Sequence, residues 1–498
     1  MFKGMVNKVR GWLYRMGLIK GIEKVAEHKE ISMNEEMYQQ IEVWKALYKG
    51  YHEPWHKLKY HTIEGQQTRR MDTLNMAKTS ASEMASLVFN EKCDISISDD
   101  PLKEFIHDDV FKHNKFYKKF QDYLEYSFAM GGMVIKPYVD NDQIKLSFVT
   151  TDSFIPTAWS NETITEGVFI NEFRKGDTKY THLEWHVWEN GEYVIRNEVY
   201  ESKNGDDLGV KVPLEQFFPN LDEEVKIAGL KKPLFVYFKP NTANNIDTQS
   251  PLGISLYANA LDTMKAIDVA FDSFNREFRL GKKRIIVPAH MVKTVVDPQN
   301  GVMHRYFDSS DETYEALNTD NIDDNKIQEM NITLRVEEHI SAINALLNLF
   351  SMQTGFSSGT FTFDGESMKT ATEVVSEQSK TFKSKQSHEI IIEAGLQELI
   401  DSIITIAELY GLFMAPNDYE VSIAFDDSIA EDKSAEITKQ IEMIHGGIQS
   451  KKRAIMKVHG VTEDEALEIL SEINEEEKAA SPDLEELERE SVLFGERE

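Results

Sequence analysis

The stretch PLGISLYANALDTMKAIDVAFDSFNREFRLGKKR, Pro251 to Arg284, decides the reading of this chain. Tyr257, Leu261, Met264, Ile267, Phe271, Phe274 and Phe278 recur three and four residues apart, the spacing of one helix face. Pro251 suits a first helical turn and Gly281 suits a stop. The spacing predicts a helix from Ile254 to Leu280, ~40 Å long at 1.5 Å per residue. One small core does not cover that length, so the helix must lie against long neighbours. Asp262, Asp268, Asp272, Arg276 and Arg279 fill the rest of its circumference.

Beyond Gly281 comes Lys282-Lys283-Arg284, and with Arg276 and Arg279 this is the densest internal basic cluster of the chain. A strand is expected from Ile285 to Val287, and Asp297-Pro298-Gln299-Asn300-Gly301 reads as a turn. The insert 285–334 carries nine acids against three Lys/Arg, a charge of −6. From about Arg335 helical period returns through Val336, Ile340, Ile343, Leu346, Leu347 and Phe350. Gly355–Met368 holds Gly355, Gly359 and Gly365 among hydroxyl residues and reads as a mobile loop. A third helix is expected from about Lys369 to Tyr410, with Gly395 as the place for a kink. The order describes a strut that goes out, turns at a β-rich insert, and returns.

Residues 30–130 read as mostly helical, with apolar stripes through Met37, Ile41, Trp44 and Leu47, through Ala77, Ala81, Met84 and Ala85, and through Phe116, Phe120, Leu124 and Phe128. Gly131-Gly132 closes the last of these. From 133 to 240 the period becomes two. Asp140-Asn141-Asp142 and Asn190-Gly191 are hairpin turns between alternating strands. His182 and His186 fall on the polar side of the second hairpin, where solvated positions are expected. A short strand is expected over Glu420–Phe425, then helices centred on Glu436–His445 and Glu463–Asn474 around Gly446-Gly447. The tail 427–498 has twenty acids and nine Lys/Arg, −11.

The 498 residues allow two to four domains, and 41% hydrophobic content is that of a globular chain. Lys+Arg 55 against Asp+Glu 85 gives a net charge of −30, which repels nucleic acid and anionic membranes on average. Cys93 is the only cysteine, so an intrachain disulfide and a cysteine-cluster metal site are excluded. Lys3, Lys8, Arg10, Arg15 and Lys20 accompany Met5, Val9, Trp12, Met16 and Ile19 in a basic amphipathic arm, expected to dock on protein rather than on a membrane.

One catalytic motif matches by letter: His52-Glu53-Pro54-Trp55-His56 fits H-E-x-x-H, the zinc-peptidase helix. Pro54 inside that turn argues against the required helix, so a loop coincidence is expected. No Walker A sequence and no G-x-S-x-G occurs. The chain is expected to be no enzyme, with no catalytic residues, no metal and no cofactor. The basic cluster Arg276, Arg279, Lys282, Lys283 and Arg284 suits either phosphate contacts or a salt-bridged subunit interface. Lys369, Lys380, Lys383 and Lys385 alternate with Glu373 and Glu377 and read as a solvated helix face.

Several segments resemble the portal proteins of tailed bacteriophages, the long-tailed phages of Gram-positive hosts. They are Ser250-Pro251-Leu252-Gly253, the run Phe274 to Arg284, Thr354 to Phe361, Lys369-Thr370-Ala371-Thr372-Glu373-Val374, and Trp44 followed by Tyr48 and Gly50. The resemblance implies an α+β, predominantly helical subunit with wing, stem, clip and crown. Residues 1–250 would be wing, 251–281 and 335–354 the stem helices, and 282–334 the clip. Residues 355–426 would hold the tunnel loop, a long kinked helix and a return strand of the wing, and 427–498 the crown. Gly355, Phe356, Ser357, Ser358, Gly359, Thr360, Phe361, Thr362, Phe363, Asp364 and Gly365 would face DNA. The implied function is a homo-oligomeric ring, typically of twelve copies, conducting double-stranded DNA at one capsid vertex of the virion after assembly in the host cytoplasm. The implied partners are DNA held weakly and without sequence preference, a terminase motor, a head–tail adaptor, and major capsid and scaffolding proteins. The alternatives are a zinc metallopeptidase using residues 52–56 and a capsid or scaffold component that conducts no DNA.

Overall fold

The structure is a computed structural model. It describes residues 25, 28–31, 34–62, 65–203, 207–219, 221–281, 284–288, 295–296, 303–304, 314–317, 328–330, 333–363, 371–416, 418–425, 433–459, 466–467 and 469–473. The chain divides into two units, one of residues 1–367 with 383–426, the other of 368–382 with 427–498.

The first unit begins with α1 (Glu35–Tyr48), capped by the Asn34 side chain, which accepts from the Met37 N–H at 3.2 Å. A single turn, α2 (Glu53–His56), leads into the hairpin β1 (Lys57–Thr62) and β2 (Gly65–Arg70). Next come α3 (Met76–Val88), β3 (Asp94–Ile97), α4 (Asp100–Glu104), a π-helix (Phe105–Lys112) and α5 (Phe116–Met130). Helices dominate 30–130 as expected, with the hairpin and β3 as exceptions. β1 alternates only briefly, Leu58 and Tyr60 between Lys57, Lys59 and His61, and β2 has no apolar residue, so the period-two signal is too short to mark a hairpin. The three expected apolar stripes are all buried, with Trp44, Ala81 and Phe120 fully enclosed.

Gly131 ends α5 at φ +87°, a conformation open to glycine, and a Cβ there would lie 2.4 Å from the Gly253 carbonyl oxygen. β4 (Met133–Asp140), β5 (Gln143–Thr150), β6 (Phe154–Ser160), β7 (Thr163–Lys175), β8 (Thr178–Glu189), β9 (Glu192–Ser202), β10 (Val210–Val212), β11 (Glu224–Ile227) and β12 (Val236–Phe238) follow. They build two antiparallel sheets, ordered β12-β4-β5 and β10-β9-β8-β7-β6, with β11 also on β9. Both expected turns have left-handed residues, Asn141 and Asp142 in one, Asn190 and Gly191 in the other.

His182 and His186 are not solvated; they are 6% and 2% exposed. The Tyr193 hydroxyl accepts the Leu234 N–H at 3.1 Å and donates to His186 Nδ1 at 2.8 Å, leaving His186 Nε2–H for Glu184 at 2.9 Å. His182 Nε2 pairs with Asn197 Oδ1 at 3.0 Å. Burial opposes the charge on Glu184, but Lys136 and His186 beside it hold its carboxyl far below the usual range. On the polar face of β8, Glu184 meets Lys136, His182 meets Phe218 and His186 meets Phe235, so alternation reported polarity and not exposure.

The first unit continues with α6 (Leu261–Leu280), β13 (Arg284–Pro288), β14 (Val295–Val296), β15 (Met303–His304), β16 (Tyr314–Leu317), β17 (Gln328–Met330) and α7 (Val336–Gln353). α6 starts seven residues later than the expected Ile254. The backbone before it is diverted into packing, with Leu256 N–H on the Phe128 carbonyl at 2.9 Å and the Tyr257 hydroxyl on the Trp44 carbonyl at 2.9 Å. Strand β13 lies parallel to β16 and antiparallel to β17, while β14 pairs β15. The expected turn 297–301 lies outside the described residues.

α8 (Ala371–Leu409) is one unbroken helix of 39 residues. Gly395 is a notch in it rather than a break: a Cβ there would sit 2.5 Å from the Phe238 ring. Lys385, expected on a solvated face, is 1% exposed and pairs with Glu389 at 2.6 Å. Lys380 and Lys383 are exposed as expected, and Lys369 lies outside the described residues. β18 (Val421–Ala424) returns to pair with β3.

In the second unit, α9 (Lys433–His445) ends at Gly446-Gly447, and α10 (Lys451–His459) follows. α10 was not expected, because its Lys451-Lys452-Arg453 start gives a weak apolar stripe; the helix expected further on appears at 466–467 and 469–473.

Candidate functional site: the two-helix strut and its anchorage

The end of α6 meets the start of α7, so the two run antiparallel. Arg335 makes a bidentate bond to Glu277 through Nε at 3.1 Å and Nη2 at 2.8 Å, and His339 lies 3.6 Å from the same carboxylate. The guanidinium lowers the Glu277 pKa to about 2. A Cβ at Gly281 would be 2.3 Å from the Leu334 side chain, so only glycine lets the chain leave α6 beneath Leu334.

The polar stripe of α6 does not face water. Asp268 and Asp272, one turn apart, are each 5% exposed. Asp268 Oδ1 accepts from the Thr73 hydroxyl at 2.7 Å and Leu74 N–H at 3.1 Å. Asp272 receives both Arg69 nitrogens, at 2.6 and 2.5 Å, and the Asp72 N–H at 3.1 Å. Those Arg69 bonds depress the Asp272 pKa against its burial. Further along, Asn275 and Arg279 reach Asp72 at 3.1 and 3.5 Å. Residues 69–75 are thus a clamp on the strut.

The H-E-x-x-H segment belongs to this clamp. It forms the single turn α2 with His52 as N-cap, and Pro54 is tolerated because the first turn needs no N–H there. His56 is 1% exposed. Its Nδ1 accepts the His52 N–H at 2.8 Å, which leaves Nε2–H to donate to Asp268 at 3.2 Å. With each ring nitrogen engaged, His56 is a tether for α6. Burial, helped by His56 and Lys265, lowers the pKa of His52. Among the described residues, no group of three His, Cys, Asp or Glu could hold a metal ion.

The Gly/Ser loop folds back along α7. Asn348 Oδ1 accepts the Gly359 N–H and Asn344 Oδ1 the Phe363 N–H, each at 2.8 Å. Gly355, at φ +84°, gives its carbonyl to the Ser384 hydroxyl at 2.7 Å. Phe356 is fully buried against Phe361, and Phe363 packs edge-on to Phe271 and Phe274. Ser357 is also buried, whereas Ser358, Thr360 and Thr362 are exposed. The segment expected to be wholly mobile and outward-facing is therefore docked through Phe363, with Phe356 and Ser357 turned inward. The expected Asp364 and Gly365 lie outside the described residues.

Of the basic cluster, Arg276 is exposed on α6 and Arg279 is drawn to Asp72. Lys282 and Lys283 lie outside the described residues, and Arg284 opens β13. The clamp residues Arg69, Asp72 and Thr73 were missed by sequence reasoning, since nothing local marks them as partners of residues 200 positions away.

Among curated proteins, none matches this chain. A solved structure, the neck of a native GTA particle computed with C12 symmetry, is similar over 77% of this chain and 88% of its own, at 8% identity and a TM-score of 0.33. No helix among the described residues is long and apolar enough to cross a membrane. The sequence family described as phage portal protein, SPP1 Gp6-like, matches residues 27–479, and the chain belongs to that family.

Proposed function

We propose that this chain is the subunit of a homo-oligomeric portal ring at one vertex of a bacteriophage capsid, a passive channel for double-stranded DNA. One observation carries the reading. After the exposed Glu337 and Glu338 of its first turn, the exposed stripe of α7 is uncharged from Ser341 through Ala342, Ala345 and Leu349 to Met352, with Leu349 39% and Met352 58% exposed. On α6 the exposed residues mix charge with apolar surface, Asp262, Lys265, Arg276 and Arg279 beside Val269 and Leu280, the last two at 47% and 55%. An uncharged α7 stretch beside a mixed α6 surface suits a neighbouring copy of the strut, and a repeated head-to-tail contact of this kind gives a ring when its rotation closes.

In this reading α6 and α7 are the stem, 282–334 the clip, 1–250 with the parts of 355–426 the wing, and 427–498 the crown. The loop presents Ser358, Thr360 and Thr362 to DNA. Uncharged hydroxyls and a net charge of −30 favour sliding over tight phosphate binding. A terminase motor and then a head–tail adaptor dock on the clip, capsid and scaffolding proteins surround the wing, and the ring ends in the virion.

Purified protein viewed by negative-stain microscopy, with mass from light scattering, tests this. Open rings are expected for the wild type, and subunits for Leu349→Glu/Met352→Glu. Solid particles, or rings unaffected by two charges on the stripe, would overturn the reading.

A further inference from the structure

The hairpin β1–β2 stands apart from the other sheets. Among the described residues its strands pair only with each other, Lys57 opposite Arg70 through Thr62 opposite Gly65. Nine of its strand residues are exposed, Tyr60 at 45%, and Leu58 and Arg69 are half-buried. A lone two-stranded ribbon is marginally stable in water, and its open edges offer N–H and C=O groups in the pattern that another strand matches. Its root is nonetheless held firmly. His56, just before β1, bonds Asp268, and Arg69 in β2 grips Asp272. The Arg70 guanidinium bonds the Gly50 carbonyl at 2.6 Å. The arm is thus fixed to the strut and bare along its length.

Its charge is opposite to that of the chain. Lys57, Lys59, Arg69 and Arg70 are present in the two strands with no acid, against −30 overall; Lys57 pairs with Glu53 and Arg69 with Asp272, so Lys59 and Arg70 are the cations outside those ion pairs. A second open edge of opposite character exists in the same molecule. Strand β11 pairs only with β9 among the described residues; its exposed Glu224 pairs with Lys226 at 3.0 Å, so the negative charge of this edge comes from Asp222 and Glu223 just before it. DNA also carries negative charge, but it offers no backbone amides to complete a strand edge.

We propose that the hairpin 57–70 is an intersubunit arm that adds to the acidic edge strand 222–227 of a second copy of this chain. This rests on the ring reading above. In the ring, each arm joins one strut to the body of the next copy, so the clamp at Asp268 and Asp272 links the strut to a neighbour.

The test places a photo-cross-linking phenylalanine analogue at Tyr60 in one full-length variant and at Gln67 in another. Each assembled protein is irradiated with and without duplex DNA. At least one variant is expected to give chain–chain adducts, roughly tenfold above those of the dissociated subunit, mapping by mass spectrometry to 222–227. Lys59→Glu should lower adduct yield, and adding Glu224→Lys should restore it. Rings that give only same-chain adducts, adducts elsewhere on the neighbour, or adducts to DNA overturn the proposal while leaving the ring intact. Protein that never assembles overturns the ring reading and this one with it.

Discussion

Replacing Arg69 with methionine removes the cation from a carboxylate that has no other charged partner at hydrogen-bond distance among the described residues. Asp272 is 7% exposed at its side chain and Arg69 23%. Removing one member of a fully buried pair costs about 3–5 kcal/mol, because the remaining charge stays desolvated. Arg69 has some access to water, so about 2–4 kcal/mol is expected here. The reverse change, Asp272→Asn, leaves the more exposed partner uncompensated, so it should cost less, about 1–2 kcal/mol. Unfolding of a chain this long is not a single step, so the readout is amide exchange along Leu261–Leu280. A loss of 2–4 kcal/mol corresponds to roughly 30- to 1000-fold faster exchange through openings that release the clamp. The Asp272 pKa is lowered in the folded state. Its contribution is therefore complete above the unfolded value of about 3.9 and is lost as pH falls below that. The ratio of Arg69→Met to wild-type exchange should shrink below about pH 4. Unchanged exchange at pH 7, a ratio indifferent to pH, or Asp272→Asn being the worse variant would refute the account.

Two further outcomes follow from the long helix α8. Gly395→Ala should destabilise by about 1–3 kcal/mol despite alanine's better helix propensity, because the new Cβ meets the buried Phe238 ring at 2.5 Å; a thermal midpoint at or above wild type would show that the ring yields. His388 is held neutral by burial, its pKa lowered to about 4, with Nδ1 accepting the Asn241 N–H at 3.0 Å. Below about pH 6.5 the unfolded chain takes up this proton and the folded one does not, so up to about 3 kcal/mol should be lost as pH falls from there to about 4. His388→Gln should flatten stability over that window, and an unchanged pH profile would exclude His388 as its source.

Where the apolar period was long, sequence reading located elements well: the stripes of α1, α3 and α5, the second strut helix, the Asn190-Gly191 hairpin and the strand Val421–Ala424. It failed where a residue's environment is set by distant chain. Asp268 and Asp272 sit off the apolar stripe, and periodicity says no more than that. That they are enclosed depends on residues 69–75, whose approach no local pattern encodes. The same holds for His186, enclosed by Phe235 from another strand region. The loop after α7 was misjudged for another reason. Its glycines and hydroxyls suggested freedom, but Phe361 and Phe363 alternate with Thr360 and Thr362 and give it an inner face.

The strut carries buried charge where it meets its own body and an uncharged exposed stretch along α7, and this division has a physical use. Its inner face is fixed to its own body by charge-assisted bonds at Asp268, Asp272 and Asp72, which are directional and set one angle for the helix. The exposed stretch of α7 from Ser341 to Met352 carries Leu349 and Met352, whose packing is short-ranged but undemanding of direction. In a ring, every copy must hold its strut at the same tilt before neighbouring struts can repeat one contact and close. Directional bonds within the subunit set that tilt, and apolar packing between subunits accepts it. Exchanging the two would leave the tilt loose and require desolvated charges to pair at every joint, where a small misfit leaves a buried ion unpaired. Weakening the clamp should therefore disturb ring closure even though no clamp residue lies on the outer stripe. A subunit with Arg69→Met that assembles as uniformly as wild type would break this link between anchorage and closure.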